Sequence, residues 1–450
     1  MPRFDKKIVL FGFGAVGRSA LTVLEKEVSF APARLLIIDR LPQPFELPYR
    51  YLQAELHPGG QESLFSPHLE AGDMLLDFSS ETDCLETLKW CRQNSIMYLN
   101  TGDNEWPDKE WKNIYDHYQE NEQFFQNGRR DGATCIIHHG ANPGSVSHFV
   151  KKGLADIVAE ADGSTECSFD RRRAADLLKD GWWGELAEFL GVKTIHSSDC
   201  DIQEFDPQTL RPGAFYSTWN PPTFFNESTA LAEVRSGTFE PGLHPLAVKA
   251  DRRDGWQELN RRGTECLADG WTPAGKYTGM IIGHEEIFSI SDCLSVYNSD
   301  GTLRYRPTVY FVYRASNAAM KALQIQANRG YTDPDDYQLI EKGITAGTEY
   351  VGVLIMGDRF KPHWVGNCLT LEHINKYFPK QTPTILQVAV PAVAAVSYMI
   401  RHPQIGICYP DELPYEPLLE VIEKYAGPTI SVTADINCRH DISRDIYAVN

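Results

Sequence analysis

Apolar residues cluster at 8–11 and are followed at once by a glycine-rich turn. From there to Glu27 the apolar positions fall at helical spacing. The same alternation recurs over the first ~150 residues, with strands predicted at 8–11, 34–39, 74–78, 97–99 and 135–138 and helices at 15–27, 82–94, 109–125 and 146–157. The second strand is rich in Leu and Ile, as parallel strands are when both their faces are buried. A turn is predicted at 142–145, Asn-Pro-Gly-Ser. Alternation of this kind predicts a parallel sheet with crossover helices.

Beyond ~160 the pattern changes to irregular segments with Pro and Gly and to strand-like runs at 277–282, 287–289, 308–313 and 351–356. These predict an α+β insert on an antiparallel or mixed sheet. Helical spacing returns at 386–401 and 418–425, and the last dozen residues are expected to be loose.

Composition adds bounds. With 450 residues, the chain is long enough for two or three domains and a large core. No basic, apolar and small-residue succession marks a signal peptide. The longest apolar stretch, 386–400, is interrupted by Pro391 and falls short of the ~20 residues a bilayer span needs. A soluble, cytoplasmic chain with no membrane partner is expected. Ten scattered cysteines form no CxxC and no zinc-like spacing, so buried reduced thiols and no metal are expected. A net charge of −18 argues against nucleic acid and is compatible with cationic substrates.

The strongest local motif is Gly12-Phe13-Gly14-Ala15-Val16-Gly17, a GxGxxG that follows a strand and opens a helix. Gly12 permits the tight turn, Gly14 lets the backbone approach a pyrophosphate, and Gly17 lets helix and strand pack closely. Asp39 ends the second strand, 22 residues beyond Gly17, where a carboxylate can hold the adenosine ribose hydroxyls. It would repel a 2′-phosphate and so favours NAD, whereas Arg40 beside it could pair with one. Ser79 and Thr101 stand at carboxyl ends of the next strands, as neighbours of the nicotinamide half.

Further candidates for chemistry are Trp219 with Glu227 across a loop-like stretch, Gly283-His284-Glu285-Glu286 ending an apolar strand, and Glu349 before another. In a strand, His284 and Glu286 would share a face. Carboxylates and an indole suit an amine. On residue types alone, solvated glutamates, a strand-end histidine and a core tryptophan are the favoured readings of the same residues.

The sequence resembles the bacterial homospermidine synthases, of the saccharopine dehydrogenase-like superfamily, over nearly its full length. The resemblance is carried by IVLFGFGAVG at 8–17, LNTGDNEWP at 99–107, HHGANPGSVSHFVKKGL at 138–154, AEVRSGTFE at 232–240, GMIIGHEEIFSIS at 279–291, GTEYVGVLIMG at 347–357 and CYPDELPYEPLLEV at 408–421. It implies an α/β fold, in which a Rossmann-type parallel-sheet domain at 1–150, completed by 380–435, carries a large inserted α+β catalytic domain at 151–379. It also implies a homodimer that joins two putrescines into homospermidine and releases ammonia, with NAD as a recycled hydride carrier. Spermidine is a second candidate substrate. By the same resemblance Trp219, His284 and Glu286 are catalytic, and Asn142, Glu227 and Glu349 bind the diamine. Trp219 would stabilise an iminium, His284 or Glu286 would be the base, and the glutamates would hold the distal ammonium. Glu349 stands where the family usually has Asp, Gly283 where it has Thr, and Phe239 where it has His. Two rival readings are a carboxyspermidine or saccharopine dehydrogenase-like enzyme, which would need a pocket cation such as Arg235, and a non-catalytic NAD-binding regulator.

Overall fold

The structure, a computed structural model, describes residues 1–109, 112–126, 131–160, 168–437 and 439–449. The chain divides into two compact units, one of residues 1–112, 116–145 and 385–426, the other of 113–115, 146–384 and 427–450.

The first unit is built on a seven-stranded sheet, ordered Ile407–Cys408, Cys135–Ile136, Met97–Asn100, Met74–Asp77, Ile8–Phe11, Leu35–Asp39, Arg50–Gln53, with every pairing parallel. Ile8, Leu10, Leu35, Ile37, Leu75 and Leu99 are fully buried, which explains why these strands read as continuous apolar runs. The helix Cys84–Gln93 starts where the Asp83 side chain accepts the Glu86 N–H. The helix predicted at 109–125 begins later, at Ile114, and part of its expected first turn lies outside the described residues. The helix Pro383–Arg401 is long and apolar enough to cross a membrane, but 83% of its most apolar window is buried inside the structure, as in a core helix.

The second unit carries an eleven-stranded mixed sheet. Its spine runs Ala247–Asp251, Trp256–Arg262, Leu231–Arg235, Thr308–Arg314, Val192–Asp201, Thr348–Gly357, His363–Thr370, Ile430–Thr433. The central strand Val192–Asp201 is parallel to Thr308–Arg314 and antiparallel to Thr348–Gly357. A parallel-sheet domain of Rossmann type with an additional mixed-sheet domain is the fold class the sequence predicts.

Three local expectations are overturned. Residues 287–289 lie in the helix Glu286–Cys293 and not in a strand, because Glu285 already has helical dihedrals and a short apolar run does not distinguish the two states. The stretch after Trp219 is a helix, Pro221–Thr229, opened by two prolines and capped by Asn220, whose side chain accepts the Thr223 N–H. The C-terminal residues are not loose: Ile446–Ala448 pairs with Cys266–Thr272, and Ile442 and Ile446 are buried among Val234, Leu259 and Tyr310.

Candidate functional site

In the first unit, the carboxyl ends of three neighbouring strands surround a cavity of about 430 Å³ lined by Gly12, Gly14, Asp39, Arg40, Glu55, Ser79, Glu81 and Trp106, among others. Gly12 has φ +86°, and a Cβ there would lie 2.5 Å from the Phe78 carbonyl carbon and Ser79 nitrogen. A Cβ on Gly17 would lie 2.1 Å from the Gly12 oxygen, so the helix can approach the turn only without one. Beside Gly14 a Cβ would meet nothing within 4 Å, and the helix Ala15–Glu27 has no side-chain cap. An open backbone cradle with uncapped N–H groups suits a pyrophosphate. Ala15 and Val16 form the first turn of that helix. Asp39 accepts the Phe13 N–H on one oxygen and the Leu41 N–H, at 2.8 Å, on the other, which fixes the carboxylate at the rim with lone pairs to spare. The Ser79 hydroxyl is bonded to Asp77 at 2.6 Å and to Thr82. Thr101 follows the strand Met97–Asn100 and is not part of this cavity's lining. Asn142 is partly exposed in a tight loop before a cis Pro143.

In the second unit, the sheet gathers Trp219, Glu227, His284, Glu286 and Glu349 around the strand Val192–Asp201. Ser197, Asp199 and Asp201 alternate along that strand and therefore share a face. Phe311 is paired with Ser197, Tyr313 with Asp199, and Glu349 with Asp201. At one end, the Ser197 hydroxyl donates to Glu286 Oε1 at 2.6 Å, while Glu286 Oε2 accepts from His284 Nδ1. Glu285 Oε2 lies 3.5 Å from the same nitrogen. His284 and Glu286 meet, although not by strand alternation: the strand Gly275–Ile282 has ended and Glu286 opens a helix. Gly283 packs closely on Glu233 in this bend: a Cβ there would lie 2.7 Å from Glu233 Oε1, so a larger residue needs that side chain to shift.

Burial alone would push the His284 pKa down, but Glu286, Glu285 and Glu227 outweigh it and raise it to about 10. The ring is therefore an imidazolium at neutral pH, which fits an acid and not the base the sequence suggested as one option. His284, Glu285 and Glu286 each bring a ligand atom within 4.8 Å of the others, a spacing that could hold a small cation.

At the other end, Asp201 is 1% exposed and accepts from Gln203 N (2.8 Å), Gln203 Nε2 (3.0 Å) and Thr218 Oγ1 (3.0 Å). Burial raises its pKa to about 6 despite those bonds. Glu349 is raised well above the carboxylate range, by burial and then by Asp199 and Asp201, and its Oε2 has no hydrogen-bond partner among the described residues. Glu227, partly exposed yet surrounded by protein, is pushed up to about 8 by burial, with Glu285 and Glu286 adding to the shift against His284. Between the two ends stands Trp219, whose Nε1–H donates to the Tyr313 hydroxyl at 3.0 Å and whose ring meets Phe224 edge-on. A buried carboxyl whose pKa is raised in this way ionises more readily once a cation is placed beside it.

Ser197, Asp199, Asp201 and Tyr313 escaped the sequence reading. The signal available was the period-two placement of Ser197, Asp199 and Asp201 after the apolar Ile195.

Residues 8–136 match the family model described as the saccharopine dehydrogenase NADP binding domain. The homospermidine synthase of Blastochloris viridis is 30% identical over 451 residues, covering 96% of this chain and 92% of that protein. This chain belongs to the homospermidine synthase family. A second family member, from Mesorhizobium japonicum, is 27% identical over 442 residues, covering 94% of this chain and 89% of its own length. The crystal structure of the homospermidine synthase of Legionella pneumophila in complex with NAD superposes with a TM-score of 0.86 at 26% identity, over 96% of this chain and 92% of that one. The cation that a family-unlike, carboxylate-binding dehydrogenase would need is not free: Arg235 is fully buried and paired with Asp254 and Asp292, each at 2.6 Å.

Proposed function

We propose that this chain is a homospermidine synthase that condenses two putrescines with loss of ammonia, using a resident NAD. The observation that carries the proposal is the acid-lined face of the strand Val192–Asp201. From Ser197 to Asp201 the strand advances about 13 Å at ~3.3 Å per residue. The ten bonds between the terminal nitrogens of homospermidine span about 12 Å when extended, taking backbone-like bond lengths. Carboxylates at both ends and an indole between them match a linear cation with nitrogens at its ends and its middle.

NAD, when bound, supplies a hydride acceptor that later returns the same hydride; the glycine cradle and Asp39 fit it, and the carboxylate at Asp39 disfavours a 2′-phosphate. The protein's own residues do the rest. Glu349, Asp201 and Glu227 hold ammonium ends, and Glu227 gives up its proton for that charge. The reacting amine must be neutral before hydride leaves its carbon, and Glu286 takes up its proton, while the His284 imidazolium is the proton donor. Loss of hydride leaves a C=N bond carrying positive charge. The Trp219 face stabilises that charge without attacking it. The second diamine adds through its nitrogen, ammonia departs with a proton from the imidazolium, and the new C=N bond regains the hydride. Asn142 is a substrate-binding residue in this reading, Ser79 and Thr101 serve the nicotinamide end, and the first unit is the cofactor domain.

The enzyme works as a homodimer in the cytoplasm, a setting supported by the free thiols of the eight described cysteines. Incubating the purified chain with NAD⁺ and putrescine tests the proposal: homospermidine and ammonia should accumulate in equal amounts without NADH. Net NADH formation would instead identify an ordinary amine dehydrogenase.

A further inference from the structure

Arg40 leaves the end of the strand Leu35–Asp39, and Glu81 leaves the loop beyond the strand Met74–Asp77. These two strands flank Ile8–Phe11 on either side, so the two side chains reach towards each other across the glycine turn. There Arg40 Nη1 donates to Glu81 Oε2 in a tight ion pair whose members are about half exposed. Both residues line the nucleotide cavity. Among its lining residues Arg40 is the sole guanidinium, set against the carboxylates of Asp39, Glu55, Glu81 and Asp108. Glu81 is also the strongest influence holding the Arg40 pKa above its ordinary value, followed by opposing burial and then by Glu55 and Asp39.

In dinucleotide folds an arginine next to the ribose-binding carboxylate is the group that accommodates a 2′-phosphate. Here that arginine is already occupied. We propose that Glu81 is a specificity-determining residue for the cofactor: by pairing with Arg40 it withholds from an adenosine 2′-phosphate the guanidinium that would otherwise receive it. Discrimination against NADP thus has two parts. Asp39 repels the phosphate, and Glu81 removes its natural counter-charge. Glu81 makes this contribution from a loop distant in sequence from the glycine motif, where no fingerprint spacing would point to it.

The inference rests on reading this cavity as the dinucleotide site, and calorimetric titration separates the two. NAD⁺ and NADP⁺ are titrated into the parent chain, Glu81→Gln, and the double variant Glu81→Gln/Arg40→Ala, without substrate. In Glu81→Gln the dissociation constant for NADP⁺ should fall about fivefold, the worth of a half-exposed ion pair, while that for NAD⁺ moves by less than about twofold. The gain should weaken as salt is raised and vanish in the double variant. If NAD⁺ binds the parent but Glu81→Gln leaves NADP⁺ unchanged, the role of Glu81 is refuted while the cofactor site stands. A gain that survives loss of Arg40 refutes the pairing mechanism, since it would reflect net charge alone. Failure of the parent to bind either nucleotide removes the site and the inference together.

Discussion

Replacing Glu286 by Gln tests what holds the proton on His284. In the parent, burial opposes protonation, and the raised value of about 10 against an ordinary 6.5 is owed first to the charge and hydrogen bond of Glu286, then to Glu285 and Glu227. That difference corresponds to about 5 kcal/mol between the two protonation states of the ring, at ~1.36 kcal/mol per pKa unit. With Glu286 neutral, Glu285 at 3.5 Å and Glu227 remain to oppose a burial penalty that acts undiminished. The His284 midpoint should then fall well below its parental value. Histidine-selective NMR, with His284→Asn identifying the resonance, reads this directly. Turnover at neutral pH should fall by about 10²–10⁴-fold, the usual worth of a positioned proton donor. The stability consequence has a defined sign. A histidine whose folded pKa exceeds its unfolded one stabilises fully below 6.5 and loses that contribution as pH rises through about 10. Parent and variant should therefore differ most at the acid end of that window and converge at its alkaline end. If His284 still titrates near its parental value in Glu286→Gln, the pairing argument is wrong.

Trp219→Ala should lower turnover by about 3- to 30-fold, the range of a desolvated cation–π contact, with little change in NAD⁺ affinity; an unchanged turnover would remove the indole from charge stabilisation. Putrescine binding at neutral pH should release protons, because Glu227, at about 8, is largely protonated in the empty site, and burial raises Glu349 as well. Calorimetry in two buffers of different ionisation enthalpy measures this, and net proton uptake would contradict it. Asp201→Asn should raise the KM for putrescine more than it lowers kcat, and the reverse split would place Asp201 in the chemical step. Asp39→Ala should weaken NAD⁺ more than NADP⁺ in direct titrations, and equal losses would undo its assignment to the ribose.

The parallel-sheet unit was legible because its strands are buried on both faces and its glycines have steric jobs the sequence declares. The motif spacing alone assigns roles to Gly12 and Gly17, and a Cβ at either would strike backbone. The second unit was less legible for a physical reason. Its central strand, Val192–Asp201, is buried almost throughout yet carries His196, Ser197, Ser198, Asp199 and Asp201. A strand that lines an acidic site lacks the apolar signature by which strands are found, so functional demand hid the element that organises the site. The chain after Trp219 was misread for the opposite reason: Pro221 and Pro222 read as a loop, whereas prolines in a first turn suit a helix, and they place Glu227 on it. Glu286 stands out beside His284 at the end of an apolar strand, but their contact arises from a strand-to-helix bend that alternation does not describe.

The central claim is that a hydride taken from one carbon of the diamine is kept and returned to that same carbon while ammonia is exchanged for a second diamine. Putrescine deuterated at both carbons bearing nitrogen, supplied with unlabelled NAD⁺ in ordinary water, tests this in a single mass spectrum. Homospermidine that retains all of the deuterium is the predicted product. Homospermidine that has lost deuterium at the newly joined carbon, or deuterium appearing in free reduced nucleotide, would contradict the account.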